Sequence, residues 1–161
     1  MALTINQTLQ EKKQQILSRW QSSAFSYQNQ DLLRGQKQDG RFSNPIAYVI
    51  DKNTREIYEW LIKDEKDMDL FTPLEEICRF RAVQDIKPAE ALRFIYALKQ
   101  IIRDELMDEI QNSDVKAQLW DVDQRIDEIG LLAFNIFSDY RAKIYEIRID
   151  EIKRMYGRDA G

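Results

Sequence analysis

Between Val115 and Met155 the chain carries an apolar line with no proline in it: Val115, Leu119, Val122, Ile126, Ile129, Ala133, Ile136, Tyr140, Ile144, Ile147 and Met155. The intervals are those of one helix face. A helix of about 40 residues at ~1.5 Å per residue is a rod of ~60 Å, whereas a compact 161-residue chain has a diameter near ~40 Å. The rod does not fit inside. Either the segment breaks, or its end, over residues 139–157, projects and buries its stripe against another chain. Between Ile129 and Phe137 the additional Leu131, Leu132 and Phe134 make the segment apolar on nearly every side, as expected where a helix crosses a core. Gly130 beside Ala133 leaves room for a close helix crossing.

The remaining periodicity is helical as well. Thr4 and Gln7 have the spacing of a capping box, and Leu9, Lys13, Ile16, Leu17, Trp20 and Ala24 follow as the stripe of a first helix. Residues 26–43 are rich in Gln, Asn, Asp and Gly, with a turn signal at Asp39-Gly40, and read as a long connection. Asn44-Pro45 is a start signal for a second helix whose stripe is Ile46, Val49, Ile50, Ile57, Tyr58 and Leu61, ending near the acidic run 64–69. Thr72-Pro73-Leu74-Glu75 predicts a third start, with Thr72 as the cap. That helix stops or bends before Lys87-Pro88, because the residue preceding a proline is pushed out of the helical region. Pro88 opens a fourth helix with Ala91, Phe94, Ile95, Leu98, Ile101, Ile102 and Leu106 on one face. Asn112-Ser113-Asp114 is the last break before the long segment. The pattern predicts an all-α single domain over 1–161 with five or six helices.

Composition excludes more than it identifies. The chain has no histidine, which removes the usual proton shuttle, metal ligand and globin haem ligand. Its 24 basic and 28 acidic residues are intermixed, so no basic stripe suits a nucleic acid. No segment approaches the roughly 20 apolar residues of a membrane span, and the N-terminus lacks the apolar core of a signal peptide. A single cysteine, Cys78, fits a reducing compartment. A cytoplasmic protein with no nucleic-acid partner and no membrane insertion is expected.

No catalytic constellation emerges. Asp121, Asp123, Asp127 and Glu128 read as a solvated helix face. The run 64–69 lacks the glycine and terminal glutamate of a cation loop, and there is no Gly-rich phosphate loop or nucleophile elbow. Cys78 sits on a stripe between Leu74 and Arg81 as a buried small hydrophobe, with no histidine to activate it. Trp20, Trp60 and Trp120 lie on separate helices and read as packing residues. On a helical wheel Arg81 and Asp85 fall together at the centre of the third helix's stripe, so a charged pair points toward the core. It is either a structural ion pair beside the Pro88 bend or, with Gln84, a polar pocket or hinge.

The run Cys78-Arg79-Phe80-Arg81-Ala82-Val83-Gln84-Asp85-Ile86-Lys87-Pro88-Ala89-Glu90-Ala91, followed by Phe94-Ile95-Tyr96-Ala97-Leu98-Lys99, resembles the N-terminal sensor domain of RsbR-type stressosome proteins, the RsbT co-antagonists. Asn44-Pro45-Ile46, Ile16-Leu17-Ser18-Arg19-Trp20, Leu131-Leu132-Ala133-Phe134-Asn135-Ile136-Phe137 and Arg141-Ala142-Lys143-Ile144-Tyr145 extend the resemblance over nearly the whole chain. Ala47 and Asn135 are small departures from it. The resemblance implies a globin-like helical bundle with no haem, a stress-signalling role and dimerisation through terminal helices. A STAS output domain, usual in that family, does not follow Gly161, so a stand-alone sensor or adaptor is expected.

The expectation is therefore a non-enzymatic signalling module with no cofactor and no metal, likened to a globin in its helix arrangement. It is a homodimer with an unidentified signalling partner. Arg81, Gln84, Asp85 and Pro88 form its candidate polar pocket or hinge. Tyr140, Ile144, Ile147 and Met155 form its candidate dimer face. The alternative is a sensor or carrier of an apolar small molecule or lipid held in a globin-like cavity.

Overall fold

A computed structural model describes residues 4–26, 45–63, 65 and 67–159. Among them are six α-helices, one 3-10 turn and no strand. The connection expected over 26–43 and the Asn44 cap lie outside the described residues, except for Ser26, which ends a helix.

Thr4 forms the expected capping box. Its Oγ1 accepts from the Gln7 N–H at 3.3 Å, and Gln7 Oε1 accepts from the Thr4 N–H at 3.1 Å. The first helix is divided where one was expected, into α1 (Ile5–Glu11) and α2 (Lys13–Ser26). At Lys12 ψ turns to 12°, although helical bonds continue from Lys12 N–H to Thr8 O and from Ile16 N–H to Lys12 O. The Lys12 side chain is committed to the far end of another helix, an attraction that local periodicity does not register.

Helix α3 (Pro45–Lys63) opens on its proline and buries Val49, Ile50, Ile57, Tyr58 and Leu61. Helix α4 (Phe71–Ala82) starts before the predicted Thr72 cap. Leu70 is its N-cap and has no side-chain cap bond, while Asp69 Oδ1, one residue earlier, accepts from the Thr72 N–H at 3.2 Å; hydrogen bonds from Thr72 hold the Asp69 carboxyl below its ordinary range. Helix α5 (Pro88–Glu105) begins at its proline after an extended Lys87, and its predicted stripe is buried throughout. After a 3-10 turn (Glu109–Gln111), Asn112 Oδ1 accepts from the Asp114 N–H at 2.9 Å and starts α6 (Ser113–Asp159). This helix runs unbroken for 47 residues, a rod of ~70 Å.

Helix α6 packs across α4 and α5, α3 lies on α4 and α2, and α2 lies on α5. Trp20 sits at the centre, fully buried, its ring stacked on Phe94 with centroids 6.1 Å apart. Its indole Nε1 donates to Phe94 O at 2.8 Å, so the ring's one polar atom is satisfied. Among the described residues only one side of α6 is covered. Ile129, Ala133, Ile136 and Phe137 are buried, but Leu131 and Phe134 are 66% and 54% exposed. That corrects the expectation of a helix enclosed on all sides there: α6 lies along the bundle, and among the described residues no layer covers its outer face. The close crossing at Gly130 is present, with the Tyr96 ring lying where a β-carbon would be. Among the described residues no helix is long and apolar enough to cross a membrane.

Candidate functional site

The last carbonyls of a helix lack partners within it, and here cations from elsewhere in the chain supply them. Lys12 Nζ donates to Glu105 O at the end of α5, at 2.5 Å. Arg81 Nη2 donates to Ala24 O in the last turn of α2, at 2.6 Å, and Arg125 Nη1 donates to Leu61 O in the last turn of α3. Arg141 makes the most contacts. Its Nε donates to Ala82 O at 2.7 Å, and its Nη2 donates to Gln84 O at 2.6 Å and Ile86 O at 2.8 Å. Its guanidinium also lies 4.8 Å from the Phe137 ring centroid. Each cation meets the negative end of a helix dipole as well as an orphan acceptor.

These contacts define the α4–α5 turn as a site. Arg141, on α6, holds the last residue of α4 and two carbonyls of the connecting turn. Arg81, on the other side, is 2% exposed. Among the described residues its Nη1 has no hydrogen-bond partner, and its guanidinium carbon lies 5.2 Å from the Phe94 ring centroid. Burial draws the Arg81 guanidinium down to about 10, which leaves it charged at neutral pH. The same burial pushes the Cys78 thiol up to about 12, against the opposing influence of the Arg81 charge. Cys78 Sγ lies 3.6 Å from Ala133 O, and its thiol is protonated at neutral pH.

The predicted Arg81–Asp85 pair in the core is not formed. Helix α4 ends at Ala82, so the helical wheel no longer applies at Asp85, which lies in the turn and is exposed. Gln84 is half-buried and gives its carbonyl to Arg141. Pro88 is the exposed first residue of α5. The structure thus carries Arg81 to the end of α2, ties Gln84 to α6 and leaves Asp85 in solvent.

The four residues of the candidate dimer face separate along α6. Tyr140 is half-buried, and its hydroxyl donates to Glu75 Oε1 at 2.6 Å; that bond raises the phenol above its ordinary value. Ile144 is partly buried against the core. Ile147 and Met155 are exposed, like every residue from Tyr145 to Gly157. Of the acids, Asp123 pairs with Arg103 and Asp127 with Lys99, while Asp121 and Glu128 face solvent. Among the described residues no group of three His, Cys, Asp or Glu side chains could hold a metal ion. Trp60 is partly buried and Trp120 is 65% exposed.

Sequence reasoning missed Arg125, Arg141 and an apolar groove. The groove, of about 720 Å³, runs between Pro88, Leu92 and Tyr96 on α5 and Gly130, Leu131 and Phe134 on α6. Its signal in the sequence was the extra apolar residues at 131 and 134, which were assigned to the core. Arg141 left a fainter one, an arginine between the stripe residues Phe137 and Ile144.

Residues 16–152 match the family model described as the RsbT co-antagonist protein rsbRD N-terminal domain. No curated protein and no solved structure matches the chain.

Proposed function

Because the chain belongs to the RsbT co-antagonist RsbRD N-terminal domain family, we propose that it is a non-enzymatic sensor or adaptor domain that passes a signal through helix packing to a partner protein. The family implies a stressosome-type signalling role. The observation that supports this mechanism is Arg141, one side chain on α6 bonded to three carbonyls at Ala82, Gln84 and Ile86. A signal that repacks α4 against α5 moves those carbonyls, and α6 must either follow or lose its hold. The ligand or partner acting there has to favour one packing over the other. In this reading Gln84 and Pro88 form the hinge, Arg81 anchors it to α2, and exposed Asp85 is open to a binding partner. The exposed end of α6 carries the output, as a homodimer in the cytoplasm.

Arg141→Met tests the mechanism. Hydrogen bonds to a charged donor are worth about 1.5–3 kcal/mol, so amide exchange in 83–87 and in α6 beyond Tyr140 is expected to rise about tenfold or more. The cores of α2 and α5 should keep wild-type protection, and a stress-response reporter in the native cells should shift its threshold. A turn that loosens while the end of α6 and the reporter behave as wild type overturns the reading.

A second reading has one observation in its favour. The groove beside Tyr96 is lined mainly by apolar side chains, which suits an apolar small molecule or lipid. Native mass spectrometry of gently extracted protein tests it. A stoichiometric adduct lost in a Leu92→Glu variant supports this reading, and bare protein counts against it.

A further inference from the structure

We propose that the pocket between the end of α5 and the start of α6 binds a small planar aromatic anion, its ring against Trp120 and its charged group at Lys116. The pocket has a volume of about 470 Å³, within the range of small-molecule sites. It shares no lining residue with the groove beside Tyr96, and it stands apart from the α4–α5 turn. Leu119, buried, and Ile110, packed against the core, give it an apolar lining. Met107 and Trp120 line it as well, and they are 66% and 65% exposed. Two large apolar side chains left open beside an apolar hollow gain by being covered.

Three observations select the occupant. The first is shape. An indole offers a flat π-face on which another ring stacks, and the unbranched thioether of Met107 adapts to a ring edge. Stacking of this kind holds a planar ligand in one orientation.

The second is charge. Both carboxylates that line the pocket already hold partners: Asp123 accepts from both Nη atoms of Arg103, and Asp104 accepts from Arg19 Nη2 at 3.1 Å and from Gln100 Nε2 at 2.7 Å. Lys116 is the charge left over. Among the described residues it makes no ion pair. It stands four residues before Trp120, on the same face of α6 and one turn away. Asp121 is on another side of that helix, in a separate hollow with Gln118 and Arg125. A ligand that stacks on the indole therefore meets an ammonium at one edge, and an anionic group there completes the site.

The third is rigidity. The two-point Arg103–Asp123 pair ties α5 to α6 across the pocket, and the Asp104–Arg19 pair ties the same end of α5 to α2. The walls are set before a ligand arrives, so little ordering opposes binding.

Fluorine NMR of the full chain, labelled with fluorotryptophan, tests the site, because the three tryptophans give three signals and Trp120→Phe identifies one of them. The probe is naphthoate, with naphthamide as its uncharged counterpart. Naphthoate is expected to shift the Trp120 signal saturably at about 1 mM or below and to leave that of buried Trp20 in place. Naphthamide should bind about threefold to tenfold more weakly, as for loss of one partly screened charge contact. Lys116→Gln should bring the two probes to equal affinity. Residue 116 is exposed, so the helical circular dichroism of this variant should match wild type. Equal binding of both probes to wild type overturns the anionic assignment. A Trp120 signal that ignores both probes overturns the site. A signal that ignores them and instead moves with protein concentration shows the pocket to be covered by another copy of the chain, which also overturns it.

Discussion

Replacing Gly130 by alanine sets two opposed effects of similar size against each other, and their balance depends on one neighbour. Glycine inside a helix costs about 1 kcal/mol relative to alanine, so at an open position the substitution would stabilise α6 by that amount. Position 130 is not open. An added β-carbon would stand 2.6 Å from Tyr96 Cζ and 3.2 Å from its Cε1, whereas carbons in contact settle near ~3.5–4.0 Å. The Tyr96 ring must therefore withdraw by about 1 Å. It is 45% exposed, so it has somewhere to go, and what it forfeits is bounded by the half now buried. That half is about 100 Å² of a tyrosine's surface, worth at most ~2.5 kcal/mol at ~25 cal/mol per Å².

Gly130→Ala alone is therefore expected to range from slightly stabilising to ~1.5 kcal/mol destabilising. Once Tyr96→Ala has removed the ring, the same change should stabilise by ~1 kcal/mol. Urea unfolding of the four proteins, at one protein concentration, gives the coupling directly, with an expected value of ~1–2.5 kcal/mol. If Gly130→Ala stabilised equally in both backgrounds, the close approach of Tyr96 to α6 would be refuted. The shape of the groove would then have to be redrawn.

Three further outcomes are expected. Tyr58→Phe leaves Leu9 O, which now accepts from the Tyr58 hydroxyl at 2.7 Å, without that donor in the core; a loss of about 1–3 kcal/mol should appear in thermal unfolding, and an unchanged midpoint would argue against this bond. Glu59 lies between Lys13 and Lys63, whose hydrogen bonds, that of Lys13 above all, hold its carboxyl below the ordinary value of 4.5. Its contribution is present above that pH and disappears as pH falls through the lowered folded value, so wild-type stability should decline more steeply in acid than that of Glu59→Gln; parallel curves would contradict this. Cys78, buried with its thiol pushed up to about 12, should react with an aromatic disulfide reagent only as fast as the domain opens; immediate labelling of the native protein would rule out that environment.

Much of the architecture was legible because its causes are local. Thr4 with Gln7, Pro45, Pro88 and Asn112 each begin a helix through contacts or backbone limits within a few residues, and the stripe of α5 needs only its own periodicity. Errors arose where the cause lay elsewhere. Thr72 looks like a cap, but the helix begins before it and Asp69, three residues earlier, accepts from the Thr72 N–H with its carboxylate. Lys12 interrupts the first helix while bonded to Glu105, 93 residues away. Asp85 was placed in the core by extending a helical wheel past the residue where the helix stops. Leu131 and Phe134 were placed there because apolar character alone does not distinguish a second packed side from an open face.

The sequence by itself determined that this chain is helical, where most of its helices begin, that its last apolar line is too long to lie inside a compact globule as one unbroken helix, and which family it resembles. Those properties follow from periodicity, from caps and from the absence of residues. Only the tertiary structure decided that Arg81, Arg125 and Arg141 close the ends of three other helices, that Arg141 ties the α4–α5 turn to α6, and that the outer side of α6 is left open. An arginine carries the same charge and length in every sequence context. What it does depends on which carbonyls lie within reach, and the carbonyls held by these three arginines lie 55 to 64 residues away along the chain.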